Sequence, residues 1–324
     1  MKAAVMHEPG GPEVLSIEDR PIPEPSSGEV LIRVRAFGLN RSELFTRQGH
    51  SPPDAVTLPR VLGIEACGET AACPGGEFEQ GSTVVTAMGG MGRLFDGGYA
   101  EYTCVPVSQV QRVETSLAWD ILGALPEMLQ TAWGSLFSAL QLKNGESLLV
   151  RGGTTSVGLA AAAIAKTFDA TVAATSRSPS RESMLRENGA DHVFIDSGEI
   201  ARDVRSVFPD GVDKVLELVG TTTLADSLQC AAAGGSVCMT GMVGDSWSFT
   251  NFAPMDVIPS TVNLTIYSGG TADFMNTPLQ SLLEQVERGR LAPRIGKVFP
   301  LNDIVEAHRC MEENRAGGKI VVLP

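Results

Sequence analysis

Aromatic side chains are scarce, at 6% of the 324 residues, and only three of them are tyrosines, Tyr99, Tyr102 and Tyr267. Phenolic proton donors are therefore few. Positive charge is also short, with 25 Lys and Arg against 38 Asp and Glu, a formal net charge of −13. Such a balance argues against a general nucleic-acid surface. No apolar run approaches the ~20 residues needed to span a bilayer, and the opening MKAAVMHEPGG lacks the long apolar core of a signal peptide. A cytoplasmic location is the expectation. The six cysteines, Cys67, Cys73, Cys104, Cys230, Cys238 and Cys310, are scattered without the close spacing of a metal cluster. They read as reduced, mostly buried small side chains. No internal repeat is present, and 43% hydrophobic with 19% charged residues describes a globular chain long enough for two cores.

The most informative stretch is LLVRGGTTSVGLAAAAIAKTFDATVAATSRSPSR, Leu148 to Arg181. It reads as a strand from Ser147 to Val150, a glycine turn, an alanine-rich helix and a second strand from Ala170 to Thr175. A strand feeding a helix N-terminus makes an anion site, because unpaired N–H groups and the positive dipole end converge there. That is how a dinucleotide pyrophosphate is held. The pattern G-x-G-x-x-G finds Gly153 and Gly158 but has Thr155 at its middle glycine, so its force comes from the strands around it. The candidate cradle is Gly153, Thr154, Thr155, Ser156, Val157 and Gly158. The second strand leads into Ser176 and Arg177, with Arg181 beyond, where an NAD site would hold the ribose diol with an acid. A hydroxyl and cations suit a 2′-phosphate instead, so the expected cofactor is NADPH. The same arginines would also suit a solvated helix start.

The first ~118 residues read as short strands and turns, with strands at 2–6, 29–37, 66–72, 82–87 and 99–106 and a glycine-rich loop at 88–98. From Trp119 helices and strands alternate. A helix over 118–140 precedes the cofactor strand, and further strands are expected at 192–196, 214–219, 235–240 and 263–267. Six short apolar strands separated by helices indicate a doubly wound parallel sheet. A helix at 278–288, a strand at 295–299, a helix at 303–314 and a strand at 319–323 close the chain, and this tail is expected to fold back onto the first part.

The order of parts resembles the medium-chain dehydrogenase/reductase superfamily, and within it the zinc-free quinone oxidoreductase branch. The resemblance runs through AFGLNRSELFTRQG, LPRVLGIEACGE, GGYAEYTCVP, LPEMLQTAWGSL, the RGGTTSVG turn and the closing GGKIVVLP, essentially the whole chain. It implies an α/β fold in which a six-stranded Rossmann sheet, residues 119–269, is inserted in a GroES-like, mainly β catalytic domain formed by 1–118 and 270–324. Zinc-dependent relatives hold their metal at three positions that match Asn40, Ile64 and Glu127 here. An amide, an aliphatic chain and a carboxylate do not make a tetrahedral N/S site, so no metal is expected. Without a Lewis acid, alcohol oxidation gives way to reduction of an acceptor that takes hydride readily.

A quinone or conjugated enone is such an acceptor, since the charge spreads onto a carbonyl oxygen. The resemblance assigns the catalytic candidates Asn40, as donor to that oxygen, Glu127, as a holder of neighbouring polar groups, and Tyr267, at a strand end beside the nicotinamide. It assigns cofactor contacts to Thr131, to Val219, to Gly241, Met242 and Val243, and to Lys319. Phe45, Phe95 and Trp247 are candidate walls for a flat substrate. Phe45 stands where some relatives have a tyrosine, which leaves solvent to supply the proton. An enoyl-thioester or biosynthetic enone reductase is the alternative within enzymes, and a non-catalytic nucleotide-binding or structural protein the alternative outside them. A homodimer is implied by the resemblance alone.

Overall fold

The computed structural model describes residues 1–324, the side chain of Pro53 excepted. Two compact units divide the chain. The first comprises Met1–Gln130, Gly269–Arg288 and Pro293–Pro324, and the second Thr131–Ser268 with Gly289–Ala292.

The first unit is built on the ten-residue strand Glu29–Gly38. Its first half pairs antiparallel with Tyr102–Pro106, Leu31 to Ala36 pair antiparallel with Glu65–Ala72 on the other side, and its end pairs with Lys319–Leu323 through Val321 opposite Gly38. The tail therefore completes this sheet, since Ile295–Pro300 runs parallel beside Lys319–Leu323. A separate three-stranded sheet joins Leu15–Asp19, Lys2–Met6 and Arg60–Val61. The core collects Val30, Ile32, Val34 and Phe37 from the long strand with Tyr99, Ile304, Ile320 and Val322. Alternation puts Val30, Ile32 and Val34 on one face, and a register shift between Val34 and Ala36 precedes Phe37, which joins the same core.

The second unit is a six-stranded parallel sheet. Its spatial order is His192–Ile195, Thr171–Ser176, Ser147–Arg151, Val212–Glu217, Ala231–Met239 and Asn263–Ile266. In chain order that is 3-2-1-4-5-6, the doubly wound arrangement with its switch point between the first and fourth strands. Leu149, Ala173, Val215 and Val237 fill its interior, as apolar runs buried on both faces must.

Several boundaries differ from expectation. The first unit extends to Gln130 rather than to 118, because the helix Trp119–Leu122 packs on Glu29–Gly38, Glu65–Ala72 and both closing strands. The expected helix over 118–140 is three pieces, Trp119–Leu122, Pro126–Trp133 and a π-helical Gly134–Ala139, with Pro126 opening the second. The strand expected from Tyr99 begins at Tyr102.

Candidate functional site

The cofactor turn lies in the second unit, at the carboxyl end of Ser147–Arg151. Gly152 turns the chain at φ +82°, a conformation that favours glycine. Its amide donates to Thr175 Oγ1 at 3.0 Å. The helix Ser156–Lys166 then starts with Thr155 as its N-cap, whose Oγ1 accepts from the Gly158 amide at 3.0 Å and donates to the Gly152 carbonyl at 2.9 Å. A Cβ on Gly158 would stand 2.7 Å from the Gly152 carbonyl oxygen, so only glycine lets helix and turn close. Thr155, expected as a cofactor contact, thus spends its hydroxyl on the turn. First-turn amides of this helix have no carbonyl four residues back within it, which is the provision an anion needs.

Other expected contacts converge on the same strand ends. Gly241, Val243 and Gly244 donate their amides to the carbonyls of Glu217, Leu218 and Val219 at 3.2, 3.2 and 2.8 Å. A Cβ on Gly152 would lie 3.1 and 3.5 Å from Leu218 and Val219, so turn and loop are neighbours. Met242 Sδ lies against Gly220. The Thr131 carbonyl accepts from Ser135 Oγ at 2.6 Å, and Ser135 Oγ in turn pairs with Thr240 Oγ1 at 2.9 Å. Tyr267 lays its ring where a Gly134 Cβ would be, against the π-helical segment.

At the second strand's end, Ser176 is buried and its hydroxyl closes a local turn, donating to the Ser178 carbonyl at 3.0 Å and accepting from the Ser178 amide at 3.1 Å. Arg177 is exposed. Arg181, also exposed, reaches back to Thr154 Oγ1 at 3.4 Å and so stands over the turn.

Beneath the turn is a charged cluster that the sequence reading passed over. Arg151 has no exposed side chain, yet it carries a full charge. Its Nε and Nη2 grip Asp196 at 3.0 and 2.9 Å, and its Nη1 pairs with Asp226 at 2.6 Å. It also donates to the carbonyls of Gly198 and Thr223 and to Ser227 Oγ. Burial would raise the Asp196 carboxyl, but the hydrogen bonds and charge of Arg151 outweigh it and hold the group below the usual range. Glu217 accepts from Ser227, Thr223 and the amides of Val219 and Gly220, and burial pushes its carboxyl up. An arginine closing an apolar strand was the available signal, since a buried charge requires partners.

The first unit gathers the other candidates. Asn40 precedes the helix Arg41–Arg47, and Glu43 reaches back to accept its amide at 3.0 Å. The Asn40 Nδ2 donates to Glu65 at 2.9 Å and to Glu43 at 3.3 Å, and its Oδ1 accepts from the Lys319 ammonium. Lys319 pairs with Glu65 at 3.0 Å and with Glu127 at 3.7 Å. Glu65 also accepts the Glu127 backbone amide at 2.9 Å, at the start of the helix Pro126–Trp133. Burial lowers the Lys319 ammonium's affinity for its proton, but the charges of Glu65 and Glu127 more than restore it. Glu43 is raised to about 7, chiefly by burial, with the Glu65 charge adding to it.

Two expectations change here. Lys319, expected to reach the cofactor, is buried, and its ammonium is engaged by Asn40, Glu65 and Glu127. Asn40 has both amide hydrogens directed at carboxylates, so it stands ready as a donor only through the longer contact to Glu43. Zinc does not fit this donor set. Ile64 offers no donor atom, and its amide is spent on Glu43 at 3.1 Å. Asn40 and Glu127 face a cation that is already a lysine. Of the proposed walls, Phe45 is buried, Phe95 packs on the first unit's core, and Trp247 is 56% exposed.

Fold and site together define an α/β dehydrogenase/reductase with a dinucleotide-type turn and a metal-unsuited polar cluster. Residues 26–115 match the alcohol dehydrogenase GroES-like domain, and residues 188–322 match the family described as zinc-binding dehydrogenase. Over 336 aligned residues the chain is 30% identical to the quinone oxidoreductase of Homo sapiens, covering 100% of this chain and 98% of that protein. It superposes on the structure of an NAD-dependent alcohol dehydrogenase with a TM-score of 0.89 at 29% identity, and on mycobacterial Rv1454c complexed with NADPH with a TM-score of 0.87 at 28% identity. Both matches cover 100% of each chain. The chain belongs to the medium-chain dehydrogenase/reductase superfamily, in its zinc-free quinone oxidoreductase branch.

Proposed function

We propose that this chain is an NADPH-dependent, metal-free oxidoreductase that passes hydride to a quinone or conjugated enone. The observation that carries the reading is the capped turn at Gly152–Gly158 with Arg177 and Arg181 exposed beside it and no acid at Ser176. Relatives called quinone oxidoreductase, and a structural neighbour complexed with NADPH, support it.

When bound, the cofactor supplies hydride from its nicotinamide. The chain's residues do the rest. Helix-start amides at Ser156 and Val157 face the pyrophosphate, with Gly153 and Gly158 giving the backbone room and Thr154, Thr155 and Ser156 bordering it. Arg177 and Arg181 would serve the 2′-phosphate, with Ser176 closing the turn that presents them, and Thr131, Val219 and Gly241–Val243 would line the nicotinamide half, with Tyr267 beside them. In the first unit Asn40 turns its weaker-held N–H from Glu43 to the acceptor's developing oxyanion. Glu127 and Lys319 hold the Asn40 amide in its orientation, and solvent supplies the proton. Phe45 and Phe95 in the first unit and Trp247 in the second are the candidate walls each unit offers an acceptor.

We place the protein in the cytoplasm as a homodimer. The edge strand Asn263–Ile266 pairs on one side only and exposes Leu264 and Ile266, the latter at 63%.

Cofactor-fluorescence titration and an acceptor panel test the reading. NADPH should bind more tightly than NADH, and NADPH oxidation should be faster with ortho-quinones than with 2-enals or enoyl-CoA thioesters. Arg177→Ala should weaken NADPH by about tenfold, the worth of one charged hydrogen bond, with NADH nearly unchanged. Equal loss for both cofactors would place Arg177 outside the phosphate site.

A further inference from the structure

The Arg151 cluster bears on cofactor choice. Asp196 follows the third strand directly beside Ser176, whose carbonyl accepts the Asp196 amide at 2.9 Å while Ser176 itself pairs with Ile195. Asp196 thus stands at the strand ends beside Ser176, one residue before Arg177, with its carboxylate held on the side of Thr175. That carboxylate and a 2′-phosphate repel, and in a partly buried setting that repulsion is weakly screened. Arg151 lies under Asp196, wholly buried, and binds it through two nitrogens in the fork geometry that suits a carboxylate. The Asp196 side chain is 7% exposed, so the pair is shielded from salt. Its Oδ2 also accepts from Thr175 Oγ1 at 3.3 Å, and Thr175 holds the Gly152 amide, which links the pair to the glycine turn. The other charges facing Arg151 are Asp226 and Glu217. Asp226 has backbone donors of its own at Ile200 and Ala201, as Glu217 has at Val219 and Gly220.

We propose that Arg151 is a specificity-determining residue for NADPH, which it serves by holding Asp196 in an ion pair that offsets the carboxylate charge near the 2′-phosphate site. It acts through Asp196 and touches no cofactor atom. The inference rests on the NADPH reading, and a comparison of two cofactors keeps the two separable.

The experiment measures NADPH and NADH dissociation constants by cofactor fluorescence at one low salt concentration. It uses the full chain and three variants, Arg151→Met, Asp196→Asn and the double substitution, with thermal melts to confirm folding. Arg151→Met should lower the preference for NADPH by at least about tenfold, because an uncompensated carboxylate then faces the phosphate. The double variant should return to within about threefold of the wild-type preference. Asp196→Asn, which keeps the Arg151–Asp226 pair, should raise the preference by about threefold, and it decides the matter should Arg151→Met not fold. An equal loss of both cofactors in Arg151→Met, a double variant as indifferent as the single, or an unmoved preference in Asp196→Asn overturns the proposal. Equal affinities in the wild-type protein would instead sink the NADPH reading itself.

Discussion

Gly158 and Thr155 illustrate how residue identity becomes a binding surface. The last glycine of the turn is required because a methyl group there would meet backbone at 2.7 Å, and backbone cannot swing aside. Gly158→Ala should therefore abolish measurable NADPH binding in a fluorescence titration while a thermal melt still reports a folded protein. Thr155→Ala is the milder case, removing a cap worth about 1 kcal/mol. Residues of this kind were legible in the sequence because their partners lie within a few positions. The cluster around Lys319 was not, since Asn40 stands 279 positions away and nothing local in GGKIVVLP points to it. Arg151 lay between these cases. Its charge at the end of an apolar strand was a signal that went unread, and Asp196 and Asp226 could not be chosen without the strand order.

Elements were read best where one periodicity ran uninterrupted. The six parallel strands were all anticipated to within a few residues, because each is a buried apolar run between helices. Short elements escaped, among them Leu15–Asp19, Arg60–Val61 and the helix Arg41–Arg47, although N-R-S-E has capping-box spacing. The break at Pro126 was also available, and the π-helical Gly134–Ala139 was not, since Tyr267 packs there from a distant strand. Asn263–Ile266 shows what an element can reveal by its exposure. An edge strand with Ile266 at 63% invites a second chain unless a charge blocks it. For the homodimer proposed above, Ile266→Glu should shift the mass from dimer to monomer in light scattering with cofactor affinity kept. An unchanged mass in a folded variant would rule that edge out as the interface.

The molecule's acidity, at −13, says little about how its stability depends on pH, because only groups whose pKa differs between folded and unfolded states contribute. Two buried groups of the first unit do so with opposite sign. Glu43 is raised to about 7 by burial and by Glu65, so the folded state binds its proton more tightly than the unfolded chain does. Its contribution is complete below the ordinary carboxylate range and is lost as pH rises towards 7. His308 is pushed down to about 3 by burial and by the Arg47 charge. Its Nδ1 accepts from Arg47 Nε at 3.3 Å, which leaves Nε2 to donate to the Tyr99 hydroxyl at 3.1 Å, an arrangement that needs the neutral ring. That contribution is present above the usual imidazole range and is lost as pH falls towards 3. Between about pH 4.5 and 6.5 the two slopes oppose each other, and each amounts to a few kcal/mol across its window. Glu43→Gln should unmask the histidine, giving a melting temperature that climbs with pH from 5 to 6.5. His308→Gln should unmask the carboxyl, giving one that falls from pH 5 to 7. Thermal melts of both variants across that range check the signs, and parallel profiles would show that neither buried group titrates with folding.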